Sequence, residues 1–182
     1  MTHRLFIAAE IQEEIKSKLI HICKEVYGNA GNIKWEQINK LHITLKFLGN
    51  VGENLTDVVV NQLNKIIYDK FTARFSRFGL FTKNGIPKIL WVGIMENSEL
   101  ENLKIKIEKS MEFLGFQIDT GKFKPHITVA RLKGKEDSTK INNLQQIDLS
   151  EIKFEIEKIL LIKSILKPNG SEYSIIKSFN LI

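Results

Sequence analysis

LHITLKFLG, residues 41–49, alternates apolar Leu41, Ile43, Leu45 and Phe47 with His42, Thr44, Lys46 and Leu48. A period of two marks a β-strand with one apolar face. The opposite face then presents His42 and Thr44 side by side, followed by Lys46. An imidazole next to a hydroxyl is a pairing suited to moving protons and holding anions. A second copy lies downstream in KPHITVARLKG, residues 124–134. His126, Ile127 and Thr128 recur in register, an aliphatic residue follows in each, and Leu132 stands where Leu48 stands. The two histidines are 84 positions apart (126 − 42). One such strand is commonplace, because threonine suits strands. Two matching strands, each preceded by a helical pattern, predict two similar lobes with both H-I-T faces on one cleft.

Outward from these strands, the chain reads as alternating strands and helices. Residues 4–9 predict a strand. Ile11, Ile15, Leu19, Ile22 and Val26 mark an amphipathic helix over 10–27, ended by the turn residues of YGNAGN. IKWEQ (33–37) predicts a short strand, and 54–68 a second helix. Residues 71–81 and KILWVGI (88–94) predict strands joined by the turn TKNGIP. Leu100, Leu103, Ile107, Met111 and Leu114 give a third helix its buried stripe. The polar stretch 136–148 predicts a short helix or ordered loop. SEIKFEIEKILLIKSIL and EYSIIKSFNLI predict two long strands joined by KPNGS. This order predicts an α+β fold with largely antiparallel sheets.

The chain has 182 residues, 43% hydrophobic and 26% charged, the balance of a globular protein with a core. Lys and Arg outnumber Asp and Glu by 27 to 21, a surplus compatible with a polyanion such as RNA and equally with plain solvated surface. Cys23 is the one cysteine, so an intrachain disulfide and a cysteine-based zinc cluster are excluded. Its helical, apolar setting predicts a buried, inert thiol. No window reaches membrane-spanning length and the N-terminus lacks a signal pattern, so a cytoplasmic location is expected. His3 and His21 lack the H-I-T context and are expected at the surface.

Two histidines flanking a substrate can serve as base and acid near neutral pH. The metal-free reaction that uses such a pair well is phosphoester cleavage. One imidazole takes a proton from the attacking oxygen, and the other gives one to the leaving oxygen across phosphorus. The threonine hydroxyls can donate to non-bridging oxygens. Metal ligation is disfavoured, since neither stretch holds a carboxylate, a cysteine or a second histidine one turn away. A strained 2′,3′-cyclic phosphate fits this equipment. A different cyclic phosphate, 2′-5′ oligonucleotides, or a non-catalytic RNA-end binding protein are the competing readings; the intact pair of histidines and threonines argues against the last.

With these motifs the sequence resembles the two-histidine (2H) phosphoesterase superfamily, in its LigT-like branch of bacterial and archaeal RNA 2′,3′-cyclic phosphodiesterases, once called 2′-5′ RNA ligases. The likeness runs through RLFIAAEI (4–11), IKWEQINKLHITLKFLGNV (33–51), GLFTKNGIPKILWVGI (79–94), FKPHITVARLKG (123–134) and ILLIKSILKPNGSEYSIIKSFNL (159–181). It implies one bilobal domain over 1–182: two pseudo-symmetric lobes, each a mainly antiparallel sheet flanked by helices, around a central groove. It implies hydrolysis of an RNA terminal 2′,3′-cyclic phosphate to a 2′-phosphomonoester without a cofactor, with 2′-5′ joining as the reverse-type reaction. The implied partner is RNA bearing such an end, tRNA fragments included, met by a monomer. His42 as proton donor, His126 as proton acceptor, Thr44 and Thr128 fall on the family's catalytic positions. Arg131 stands where the family has an arginine; strand alternation points it away from His126 unless a bulge turns it. Lys46 is expected to attract the anion, and Phe6 and Phe123 to stack on a base. Lys88 and Tyr173 occupy family-like positions whose roles the sequence does not give.

Overall fold

The computed structural model describes residues 2–28, 32–168 and 170–182. Strand β1 (Thr2–Ala9) leads through helix α1 (Glu13–Tyr27) and a 3₁₀ turn (Ile38–Lys40) to β2 (Ile43–Gly52), then α2 (Glu53–Leu63). Strands β3 (Phe71–Lys83) and β4 (Ile86–Ile94) form a hairpin, followed by α3 (Ser98–Glu112), β5 (His126–Arg131) and α4 (Ser138–Gln145). The chain closes with β6 (Lys153–Ile156), β7 (Lys158–Lys167) and β8 (Gly170–Asn180). The described strands form two four-stranded sheets, ordered β2-β1-β7-β8 and β5-β4-β3-β6, with every named pairing antiparallel. This is the expected α+β architecture with two related sheets.

The relation between the lobes extends to the helices. An offset of 84 that carries His42 onto His126 also carries Leu19, Ile20, Cys23 and Tyr27 of α1 onto Leu103, Lys104, Ile107 and Met111 of α3, and all eight are buried. Edge strands β2 and β5 approach each other, while α1 packs on α4 and α2 on α3. One continuous apolar core spans both sheets, from Leu5 and Ile7 through Phe75 and Phe78 to Val129 and Ile159. Cys23 lies wholly buried in it, and burial pushes its thiol up to about 12, which makes it inert.

Local chemistry explains several element ends. Asn97 caps α3 by accepting from the Leu100 N–H at 2.8 Å, and Asp137 caps α4 through the Thr139 and Lys140 N–H groups. Asn84 and Gly85 both take positive φ, 52° and 76°, as a tight hairpin turn requires. The YGNAGN and KPNGS turns fall partly outside the described residues, at 29–31 and 169.

Three expectations are corrected. Helix α2 stops at Leu63 rather than Tyr68: the Lys65 and Ile66 N–H groups close tight turns onto the Gln62 and Leu63 carbonyls, and the chain then runs out to pair Tyr68 and Lys70 with Ile182. The strand expected at IKWEQ is only a bridge from Trp35 to Ala130, with the Glu36 N–H donating to the Val129 carbonyl. The long strand expected at 150–166 is two strands in different sheets: β6 pairs with β3, and β7 with β1. The pattern changes at that crossing. Alternating Phe154-Glu155-Ile156 gives way to the unbroken run Ile159–Ile162, all buried, as a strand covered on both faces demands. Among the described residues no helix is long and apolar enough to cross a membrane.

Candidate active site

His42 lies immediately before β2 and His126 opens β5, so both rings stand at the ends of the adjoining edge strands. Both line one groove of about 510 Å³, together with Thr44 and Thr128. In each ring Nδ1–H donates to the carbonyl two residues upstream: His42 to Lys40 and His126 to Lys124, both at 2.7 Å. A carbonyl only accepts, so this bond fixes the proton on Nδ1 and leaves Nε2 as the nitrogen free to exchange a proton. Aromatic rings hold each imidazole. Phe6 and Tyr173 lie 4.9 and 5.5 Å from His42, Phe81 and Trp91 lie 4.9 and 6.1 Å from His126, by ring centroids. Trp91 in turn sits over Gly79, where a Cβ would come within 2.2 Å of the indole. Only glycine admits the indole there.

Burial pushes His42 down to about 4, against the bond to the Lys40 carbonyl, which favours the charged ring; the charges of Lys16, His126 and Arg131 lower it further. With these neighbours alone, His42 is therefore neutral at pH 7.

Strict alternation fails in both histidine strands at the same place. In the β1–β2 pairing Ala8 faces Thr44 but Ile7 faces Lys46, so Leu45 is an extra residue. In the β4–β5 pairing Trp91 faces Thr128 but Leu90 faces Ala130, so Val129 is extra. Each bulge comes one residue after the threonine and exchanges the faces beyond it. Arg131 is thereby turned into the groove, where its Nε–H donates to Glu36 at 3.0 Å.

The β2 bulge at Leu45 removes Lys46 from the groove. Lys46 is buried beneath the sheet, bonded to Glu108 and donating to the Gln117 carbonyl at 2.8 Å. Lys104 completes the cluster at 2.6 Å, and the two lysines hold the Glu108 carboxyl below its usual range although burial opposes them. The expectation that Lys46 meets an anion is thus corrected. Leu48, expected on the histidine face, is also core: the first bulge turns it inward, and it is itself the extra residue of a second bulge.

Phe47 takes the place that Lys46 was expected to hold. It lines the groove as a residue 66% exposed, five residues after His42 as Arg131 is five after His126. Alternation puts it on the apolar face; with a lysine at 46 the sequence carries no sign of the extra residue, which only the pairing reveals. Phe6 lines the same wall yet is 3% exposed, so it supports His42 and Phe47 and offers little face to stack on. Phe123 does not line the groove; it packs against the core under the Lys104 ammonium, 5.4 Å from its ring centre. Both stacking expectations are corrected accordingly. Tyr173, whose role was illegible, packs edge-on against His42 and Phe6. Lys88 is exposed on β4 away from the groove lining. His21 is at the surface as expected, paired with Glu25 at 3.2 Å; His3 is half-buried, 3.5 Å from Glu53.

Residues 35–167 match the family model of the 2′-5′ RNA ligase superfamily. The chain belongs to that superfamily. An RNA 2′,3′-cyclic phosphodiesterase from Archaeoglobus fulgidus is 33% identical over 97% of this chain and 99% of its own. Its namesake from Methanocaldococcus jannaschii is 32% identical over 97% and 99%. The fold agrees with the crystal structure of a Thermus thermophilus protein at a TM-score of 0.83, with 25% identity and coverage of 98% and 97%. It agrees with E. coli LigT complexed with 3′-AMP at 0.80, with 20% identity and coverage of 100% and 99%. Membership of this phosphoesterase superfamily and the bilobal LigT-like fold are as the motifs implied. Both H-I-T strands of this superfamily member lie inside or at the rim of one groove, with the bulges setting what surrounds them.

Proposed function

We propose that this chain hydrolyses the 2′,3′-cyclic phosphate at the end of an RNA to a 2′-phosphomonoester. The observation that carries the reading is the pair of imidazoles lining one groove, each with Nδ1 engaged and Nε2 free. His126 accepts the proton of a water whose oxygen forms the new bond to phosphorus. The bond from phosphorus to O3′ breaks, and His42 gives O3′ its proton. His42 needs a proton first, and the anionic phosphate supplies the negative charge that offsets burial and the neighbouring cations. A desolvated imidazolium is then a strong acid, suited to a donor. Thr44, Thr128 and the guanidinium of Arg131 hold the non-bridging oxygens. Phe47 offers the exposed face on which a base can stack. With a 5′-hydroxyl in place of water, the same displacement joins two RNA ends through a 2′-5′ linkage. Side-chain chemistry supplies both proton transfers, so activity is expected to persist in EDTA.

Incubation with a ribonucleoside 2′,3′-cyclic phosphate, followed by phosphorus NMR, tests this. The expected product is the 2′-phosphomonoester. An untouched substrate, or the 3′ isomer, would overturn the reaction as written.

A further inference from the structure

The histidine groove continues past Arg131. A second cavity of about 230 Å³ adjoins it, with Arg131, Lys40 and Tyr173 lining both, so the two form one channel. Lys34 and Lys133 line only the second part. The channel's charge is one-sided. Four cations, Lys34, Lys40, Arg131 and Lys133, face the second cavity, and Glu36 is the only carboxylate among its described lining. Glu36 is already engaged by the Arg131 Nε–H. Among the described residues Lys34, Lys40 and Lys133 have no ion-pair partner. Lys34 and Lys133 are exposed and can swing their ammonium groups over the cavity mouth.

We infer that this second cavity takes the phosphodiester one nucleotide upstream of the cyclic phosphate, so that the protein prefers an oligonucleotide end to a free cyclic nucleotide. The inference rests on the cyclic-phosphate reading above. A 2′,3′-cyclic phosphate is a chain terminus with nothing beyond it, so a further phosphate can only come from the preceding nucleotide. Lysine ammonium groups suit a diester as point charges. Aromatic surface does not dominate here: Trp35 is half-buried against the Tyr27 ring, at 5.7 Å, and Tyr173 is half-buried, edge-on to Phe6 and His42. The cavity is also small, which favours a phosphate and its sugar edge over a whole stacked base.

Steady-state hydrolysis of two substrates tests the assignment: a mononucleoside 2′,3′-cyclic phosphate, and a dinucleotide ending in the same group, each across a salt series. The wild-type dinucleotide KM should be the lower and the more salt-sensitive. The log–log slopes of the two substrates should differ by about 0.7, so a fourfold rise in salt costs the dinucleotide about threefold more. In the double variant Lys34→Gln, Lys133→Gln the dinucleotide KM should rise and this difference in slope should shrink, with mononucleotide kinetics unchanged. Equal KM and equal salt slopes in the wild type would overturn the inference while leaving the hydrolysis intact. So would a variant that weakens both substrates alike. If neither substrate is cleaved by the wild type, the phosphodiesterase reading has failed and the inference falls with it.

Discussion

The two histidine strands repeat one another closely up to their bulges and diverge beyond them. Each has a histidine tied to a carbonyl two residues back, a threonine two residues on, a pair of aromatic rings against the imidazole, and an extra residue just past the threonine. Past the bulge, β2 sends Phe47 to the groove and Lys46 to the interior, while β5 sends Arg131 to the groove and Ala130 to the interior. In the proposed reaction the repeated part supplies the two proton carriers, of which His42 is desolvated by burial. The divergent part gives the groove two unlike sides, with a bare aromatic ring on one and a cation on the other. In that proposed reaction the asymmetric surround decides how a substrate lies between the two rings.

Breaking the repeated part should have the largest effect. His42→Ala and His126→Ala should each lower kcat by about 10²–10⁴-fold, with thermal unfolding showing that the fold survives. Near-wild-type turnover in either would end the acid–base pair. A diester that releases 4-nitrophenolate sharpens the comparison, because that leaving group needs no proton. On it His42→Ala should recover most of its loss and His126→Ala should not; the opposite pattern would exchange their roles.

The divergent part is tested next, through Lys46. Lys46→Ala leaves Glu108 buried with one partner fewer, and should destabilise by about 3 kcal/mol in denaturant unfolding. Catalysis by the folded fraction should hold, because the ammonium is away from the groove. A raised KM without lost stability would return Lys46 to the substrate.

The most gradual effect is a pH slope, at most about 1.4 kcal/mol per pH unit. Unfolded histidine titrates near 6.5, and folded His42 near 4. Between those values the unfolded chain binds the extra proton, so His42 makes stability rise with pH, and that contribution is lost as pH falls from about 6.5 toward 4. Unfolding measured across this window should show the slope in the wild type and in His126→Gln, and a weaker one in His42→Gln. Identical slopes in all three would mean that the His42 ring is not desolvated.

Much of the site was legible because it is repeated. His42, Thr44, His126 and Thr128 declare themselves by a period of two, found twice at a constant offset, and the helix stripes follow the same offset. Phe47, Arg131 and Lys46 were not legible in the same way. Their faces depend on bulges, and a bulge is a mismatch in count between two paired strands, not a property of either one. β6 and β7 were fused for a related reason, since both halves are strand-like and only their partners differ.

The sequence alone determined the α+β alternation, the two H-I-T strands and the inert cysteine, all set by local periodicity and residue chemistry. Tertiary structure alone decided which side chains surround the imidazoles and how far His42 is desolvated. Those depend on register between strands and on rings brought from β1, β3, β4 and β8, distances that no stretch of the chain carries within itself.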